Sequence, residues 1–322
     1  MNMLKKMLPE RLVEGLRYIR HGRLSWDRSL PSSGIVYGMT TGEEQALFTK
    51  SVEKVARLEG AIIDLGCWLG STTISMAKGL REAGSSEKIY AFDLFKWDPW
   101  MDDYSDDHWC DYEPGESFLP ETRRRVSEFK QHIDLIEADL FSYSWTHGKI
   151  RLLLIDAMKS WDLATSITRE FFPSLVKDAR VVQQDYLSFS VPYMTIVHHR
   201  LREHLHYHSH VEDGATVSFR VAKGIPIEKA IEAGDFSQLG DDEAEAAFEW
   251  SLREIGERAR TGTALVQMMY YIMRHKLDHA RELLSKYDAE KAAKTDPFKP
   301  VRRALQAPQA WQGGSSSPRF LL

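Results

Sequence analysis

Cysteine is nearly missing from this chain: 322 residues carry only Cys67 and Cys110. Two cysteines build no disulfide scaffold, so a reducing cytoplasm is the expected compartment. No apolar run is long enough to span a bilayer. Residues 1–20 lack the continuous apolar stretch of a secretory leader. Their Leu4, Met7, Leu8, Leu12, Leu16 and Ile19 follow helical spacing, which suits an amphipathic helix docked on the protein or, alternatively, one lying on a membrane surface. Basic charge is not in excess either. Lys and Arg total 42 against 47 Asp and Glu, for a net charge of -5, which leaves no electrostatic footprint for non-specific nucleic-acid binding. Internal repeats are absent too. What remains, 43% hydrophobic and 28% charged residues, is ordinary for a globular protein with one sizeable α/β domain and a smaller unit.

Strands and helices alternate through the middle of the chain. Residues 42–59 read as a helix, broken at Gly60. Apolar strands follow at residues 61–65, 88–93, 133–139, 151–156 and 179–185, with helices at 71–81, 121–129, 161–175 and 193–205 between and after them. Ser71 or Thr72 is the expected cap of the second helix. A hairpin is expected at 207–211 with 216–221. This alternation predicts a mostly parallel sheet, whose ligands bind beyond the carboxyl ends of the strands. Asp64, Asp93, Asp139, Asp156 and Asp185 all fall at such ends. From Ile225 the chain turns rich in Ala, Glu, Lys and Leu, and about three helices are expected. The expected boundaries are a helical segment at 1–41, the α/β domain at 42–224, a helical extension at 225–306 and a disordered tail at 307–322.

The turn after the first strand reads Asp64-Leu65-Gly66-Cys67-Trp68-Leu69-Gly70-Ser71. Gly66 permits a tight turn and Gly70 a close backbone approach at the start of a helix. A dinucleotide site needs a second glycine where Trp68 stands, so NAD and FAD are disfavoured. S-adenosylmethionine fits better. Its ammonium and sulfonium complement an acid, and its carboxylate suits the N–H groups at a helix start. Asp93 is placed to take the ribose hydroxyls, and Asp139 to meet the adenine amino group.

With these residues in view, residues 42–221 resemble class I S-adenosylmethionine-dependent methyltransferases. The Gly-x-Trp-x-Gly form is similar to macrocin-type sugar and antibiotic O-methyltransferases. The resemblance implies a Rossmann-like α/β fold with a seven-stranded sheet, mostly parallel, the last strand antiparallel. It also implies an S-adenosylmethionine site at Asp64, Gly66, Trp68, Gly70, Ser71, Asp93 and Asp139.

The fourth strand ends Asp156-Ala157-Met158-Lys159 and the fifth ends Gln183-Gln184-Asp185-Tyr186. Two acids on adjacent strand ends either share a hard cation such as Mg²⁺ or only make hydrogen bonds at the sheet edge. A cation there would lower the pKa of a substrate hydroxyl. Lys159 is a candidate base if its own pKa is depressed. Asp156, Lys159 and Asp185 resemble the pattern of metal-dependent catechol-type O-methyltransferases. Tyr186 stands where those enzymes carry Asn. Met158 and Gln184 replace acids found in macrocin-type enzymes. Gln184 offers an amide oxygen as a third ligand.

Residues 97–109, with Trp97, Trp100, Tyr104 and Trp109 among acids, read as a lid over an aromatic or polyol acceptor, or as a loop packed on itself. His198, His199, His204, His206, His208 and His210 either coat a helix and a strand or hold zinc. A stripe of Phe248, Trp250, Leu252, Leu265, Met268, Met269 and Ile272 suits core or homodimer packing. The expected function is O-methylation of a small-molecule or glycan-intermediate hydroxyl. The alternatives are a nitrogen- or macromolecule-directed methyltransferase and a non-catalytic binding protein of the same fold.

Overall fold

The computed structural model describes residues 39–104, 112–188, 190–212, 214–256, 259–289 and 298–308. The expected N-terminal docking helix, most of the tail, Cys110 and Trp109 lie outside them, as do residues 105–109 of the stretch read as a lid.

The first helix, α1 (Gly42–Val55), starts where a threonine and a glutamate cap each other. Glu44 N–H donates to Thr41 Oγ1, and Thr41 N–H donates to Glu44 Oε2. That reciprocal pair satisfies two donors that the first turn cannot. Its buried stripe is Phe48, Val52 and Val55. The helix stops four residues short of the expected Glu59. The cause is distant in sequence: Arg151 is buried and its Nη1 donates to the carbonyls of Val55, Ala56 and Leu58. Carbonyls satisfied by a guanidinium have no need of a further helical turn.

Beyond α1 come β1 (Ala61–Leu65), α2 (Ser71–Glu82), β2 (Ile89–Asp93), α3 (Leu119–Arg125), β3 (Ile133–Glu137), β4 (Ile150–Ile155), α4 (Trp161–Phe171), β5 (Leu175–Gln183), α5 (Pro192–Arg200), β6 (Leu205–His210) and β7 (Val217–Val221). The strands form one seven-stranded sheet in the order β3-β2-β1-β4-β5-β7-β6. β2 with β3, β1 with β4 and β4 with β5 run parallel, while β7 runs antiparallel to both β5 and β6. The Rossmann-like sheet and its antiparallel end are therefore as the sequence implies. β4 is buried at every residue, as a strand covered on both sides requires. Strand order reverses direction between β1 and β4, the usual place for a ligand crevice.

Two boundaries differ from expectation for local reasons. Pro173 ends α4 at Phe171, and β5 then begins at Leu175 rather than Ala179. Gly70, not Ser71 or Thr72, caps α2; it is left-handed at φ 92° and its cap uses no side chain.

The described residues fall into two compact units. One comprises residues to Glu53 and Gly66–Ala138. In it α2 lies so close to α1 that a Cβ on Gly79 would stand 2.6 Å from the Thr49 carbonyl oxygen. The other comprises Lys54–Leu65 and everything from Asp139 onward. It holds five helices after β7 where about three were expected: α6 (Ile227–Gly234), α7 (Asp241–Ile255), α8 (Arg260–Met273), α9 (Leu277–Ala289) and α10 (Lys299–Gln306). Phe248, Met268, Met269 and Ile272 are buried in a cluster with Ala280, Phe298, Val301 and, from α5, Ile196. That apolar stripe is the chain's own core.

His198 is wholly buried in this unit, between Tyr186, Phe172 and Phe219. Its Nδ1 lies 2.9 Å from the Met194 carbonyl, which can only accept, so Nδ1 carries the proton. Burial pushes the imidazole pKa down to about 4, the Met194 bond opposing weakly. A folded value below the unfolded one means stability that is intact above about pH 6.5 and lost as pH falls toward 4. At roughly 1.4 kcal/mol per pKa unit the loss approaches about 3 kcal/mol. Replacing His198→Gln keeps a neutral donor for Met194. Urea denaturation of the two proteins at pH 7 and pH 4 is expected to show a smaller acid-side loss in the variant.

Candidate active site

In the first unit, the turn after β1 is built from alternating left-handed residues: Gly66 at φ 91°, Trp68 at 43° and Gly70 at 92°. Glycine adopts this conformation freely; tryptophan does not and must be held. Two bonds hold it. Trp68 N–H donates to Asp93 Oδ2 at 2.9 Å, and the Trp68 carbonyl accepts from Thr122 Oγ1 at 2.9 Å. The N–H groups of Gly66 and Cys67 both donate to the Phe92 carbonyl. Gly70 has no room for a side chain, because a Cβ would stand 2.8 Å from Val126 Cγ1. Ser71 is buried, with its Oγ 2.6 Å from Thr40 Oγ1.

Asp93 closes β2 and clamps two turns at once. Oδ2 takes Trp68 N–H, and Oδ1 takes the N–H of Phe95, itself left-handed at φ 49°. Burial pushes its carboxyl above the usual range, while the N–H groups of Phe95, Trp68 and Leu94 pull it back. A carboxylate has about four acceptor positions, so these bonds leave acceptor capacity for the ribose hydroxyls of a nucleoside. The first turn of α2 contains no acid. No carboxylate of its own therefore competes for the positive pole of this helix, which favours the carboxylate of an amino-acid moiety. On this donor set S-adenosylmethionine fits.

The second unit holds the other predicted residues. Asp64 is fully buried within β1 rather than at its end, and its charge bears on Asp156. Asp139 sits two residues past β3, exposed, with Oδ1 accepting from Phe141 N–H. Asp156 and Asp185 follow β4 and β5, which are neighbours. Lys159 joins them: its Nζ donates to Asp156 Oδ1 at 2.7 Å and to Asp185 Oδ2. Burial and the charges of Asp185 and Asp64 push Asp156 up, to about 7, against the pull of Lys159. Burial works against the Lys159 charge, but Asp156 and Asp185 outweigh it and hold the ammonium above its ordinary value. The depressed amine expected of a lysine base is therefore not what the site contains.

The Mg²⁺ ligand set does not fit either. An ammonium already lies against both carboxylates, where a dication would have to sit. Gln184 is buried with its Oε1 unpartnered among the described residues, but a neutral oxygen compensates poorly for that positive charge. Tyr186 turns into the core; its phenol lies 3.3 Å from Ser251 Oγ, and burial pushes its pKa up to about 12. Met158 is wholly buried. No group of three or more His, Cys, Asp or Glu is arranged to hold a metal among the described residues, the histidines from 198 to 210 included. Those histidines disperse: His204 Nδ1 meets the Gly224 carbonyl, His210 Nδ1 the Tyr207 hydroxyl, and His199 packs on Trp250.

Residues 63–186 match the family model of a methyltransferase domain. That match agrees with the resemblance to S-adenosylmethionine-dependent methyltransferases read from the sequence. No curated protein matches in sequence. Among solved structures, the O-methyltransferase NovP is 16% identical, with 58% of this chain and 83% of that one covered at a TM-score of 0.47. A TDP-rhamnose 3'-O-methyltransferase of calicheamicin biosynthesis, CalS11, is 14% identical over 64% and 90% of the two chains, at 0.43. A TehB-like methyltransferase from Corynebacterium glutamicum is 15% identical over 62% and 95%, at 0.38. No described helix is long and apolar enough to cross a membrane.

The turn is open to a direct test. Gly70→Ala forces both a left-handed alanine and a contact with Val126. We expect a loss of about 1–3 kcal/mol in stability. Calorimetry with S-adenosylhomocysteine should also show binding weakened by roughly tenfold or more.

Proposed function

We propose that the chain transfers a methyl group from S-adenosylmethionine to a hydroxyl oxygen of a small molecule or sugar-bearing intermediate, without a divalent metal. The observation that carries this reading is the Asp156–Lys159–Asp185 cluster at the ends of β4 and β5, two carboxylates on one ammonium. In this reading Gly66, Trp68, Gly70, the Ser71 backbone and Asp93 hold the cofactor's methionine and ribose parts. Asp139 keeps the role expected of it at the adenine amino group.

The bound cofactor supplies an electrophilic methyl on a sulfonium. Asp156 accepts the hydroxyl proton as the oxygen–methyl bond forms and the carbon–sulfur bond breaks, its electrons passing to sulfur. A carboxylate raised to about 7 is matched to that task near neutral pH. Lys159 does not take the proton. It offsets the charge of the two acids and fixes their orientation, so one face of Asp156 stays directed to the acceptor. An oxygen acceptor suits the site because a hydroxyl must lose a proton and a carboxylate is there to receive it.

An assay with radiolabelled methyl donor and a panel of sugar nucleotides and catechols tests this. Turnover is expected to rise with pH through about 7, because Asp156 must be ionised to act as base. Asp156→Asn should lower it by about 100-fold or more while S-adenosylhomocysteine affinity stays within about twofold. Exhaustive chelation should leave the rate unchanged. Full activity in Asp156→Asn sinks the base assignment, and loss of activity on chelation sinks the metal-free reading.

A further inference from the structure

Asp185 is left-handed at φ 59°, a conformation that a non-glycine residue keeps only when its surroundings dictate it. The three residues after it are pinned from several directions. Gln184 N–H donates to the Ile155 carbonyl, fixing the entry to the turn. Ser188 N–H donates back to the Asp185 carbonyl, and Leu187 N–H to that of Ala215 before β7. Tyr186 drops into the core and reaches Ser251 Oγ on α7 at 3.3 Å. Leu187 then lies under the start of α8: a Cβ on Gly262 would stand 2.9 Å from Leu187 Cβ and 3.3 Å from its carbonyl oxygen. Glycine inside a helix costs roughly 1 kcal/mol relative to alanine. At Gly262 the backbone is ordinarily helical, with no left-handed conformation to require glycine, so the close approach to Leu187 is what the residue serves.

We infer that the C-terminal helices position the acceptor end of the site: Gly262 and Ser251 hold the turn after β5 so that the Asp185 carboxylate stays on Lys159. Neither residue touches a reacting atom; both act through Asp185. The inference rests on the reading of Asp185 as a site residue, but its geometry is testable without any acceptor. Displacing Leu187 displaces Asp185, and Lys159 then loses one of its two carboxylates.

An amine clamped between two carboxylates reacts slowly with an acylating reagent, and faster when one is withdrawn. The full chain is treated with limiting acetic anhydride at a single pH, and acylation of Lys159 is read by peptide mass spectrometry relative to the surface Lys223. Asp185→Asn sets the value for complete loss of the contact. Gly262→Ala is expected to raise relative Lys159 acylation several-fold, toward that value, with S-adenosylhomocysteine affinity within about twofold. Adding Leu187→Gly, which removes the opposing Cβ, should bring acylation back toward wild type. If Gly262→Ala does not fold, Ser251→Ala is read in the same way and should raise acylation more modestly. Unchanged Lys159 acylation in the folded variant, or no recovery on adding Leu187→Gly, overturns the inference. Should acylation respond as expected while Asp185→Asn retains full methyl transfer, the positioning stands and the catalytic reading of the cluster fails instead.

Discussion

A carboxylate at the inner end of a buried strand has to be given donors, and much of this molecule's local geometry follows from that requirement. Left unpaired, each would cost several kcal/mol. Asp93 is satisfied by backbone N–H groups, so its loops bend to deliver them: Trp68 and Phe95 both take left-handed conformations beside it. Asp156 and Asp185 are satisfied by one ammonium, so Asp185 adopts the same kind of conformation to bring its carboxylate to Lys159. The two solutions differ in consequence. Backbone donors leave Asp93 with acceptor capacity and, among the described residues, no countercharge, which suits neutral hydroxyls. The ammonium leaves the other pair with one net negative charge when both acids are ionised, which suits a proton acceptor.

That difference also decides what Lys159 does. Beside a lone hydrophobic wall, burial would lower a lysine until it could act as a base. Between two acids the opposite holds, and the lysine becomes the fixed charge while Asp156 titrates near neutrality. The same ammonium stands against a divalent cation at that place. In the proposed mechanism, proton transfer to Asp156 and the absence of a divalent metal both follow from the position of that one side chain.

The sheet was legible because short apolar runs closing on or near an Asp are a local signal, and so was the Gly-x-Trp-x-Gly turn. Asp156 and Lys159 lie three residues apart, near enough for their pairing to be guessed. The bond from Lys159 to Asp185 spans 26 residues and depends on β4 and β5 being neighbours. The end of α1 was misread because Arg151, more than 90 residues on, supplies the donors that stop it. The histidines from 198 to 210 drew attention by their number, yet burial, hairpin register and separate carbonyl partners scatter them. Gly262 left a faint mark, a glycine in an otherwise helical pattern, whose meaning needed the position of Leu187.

The sharing of one core by α5 and the helices after β7 bears on what cutting those helices away would do. Ile196 is buried against Phe248, Met268 and their neighbours. Trp161 at the start of α4 packs edge-on against both Tyr193 and Phe236. Once those apolar surfaces had formed against the added helices, removing the helices would leave bare hydrophobic surface on the domain that carries the chemistry. An appendage of this kind is a structural part of the domain it covers, and cutting it away would strip apolar cover from α4 and α5.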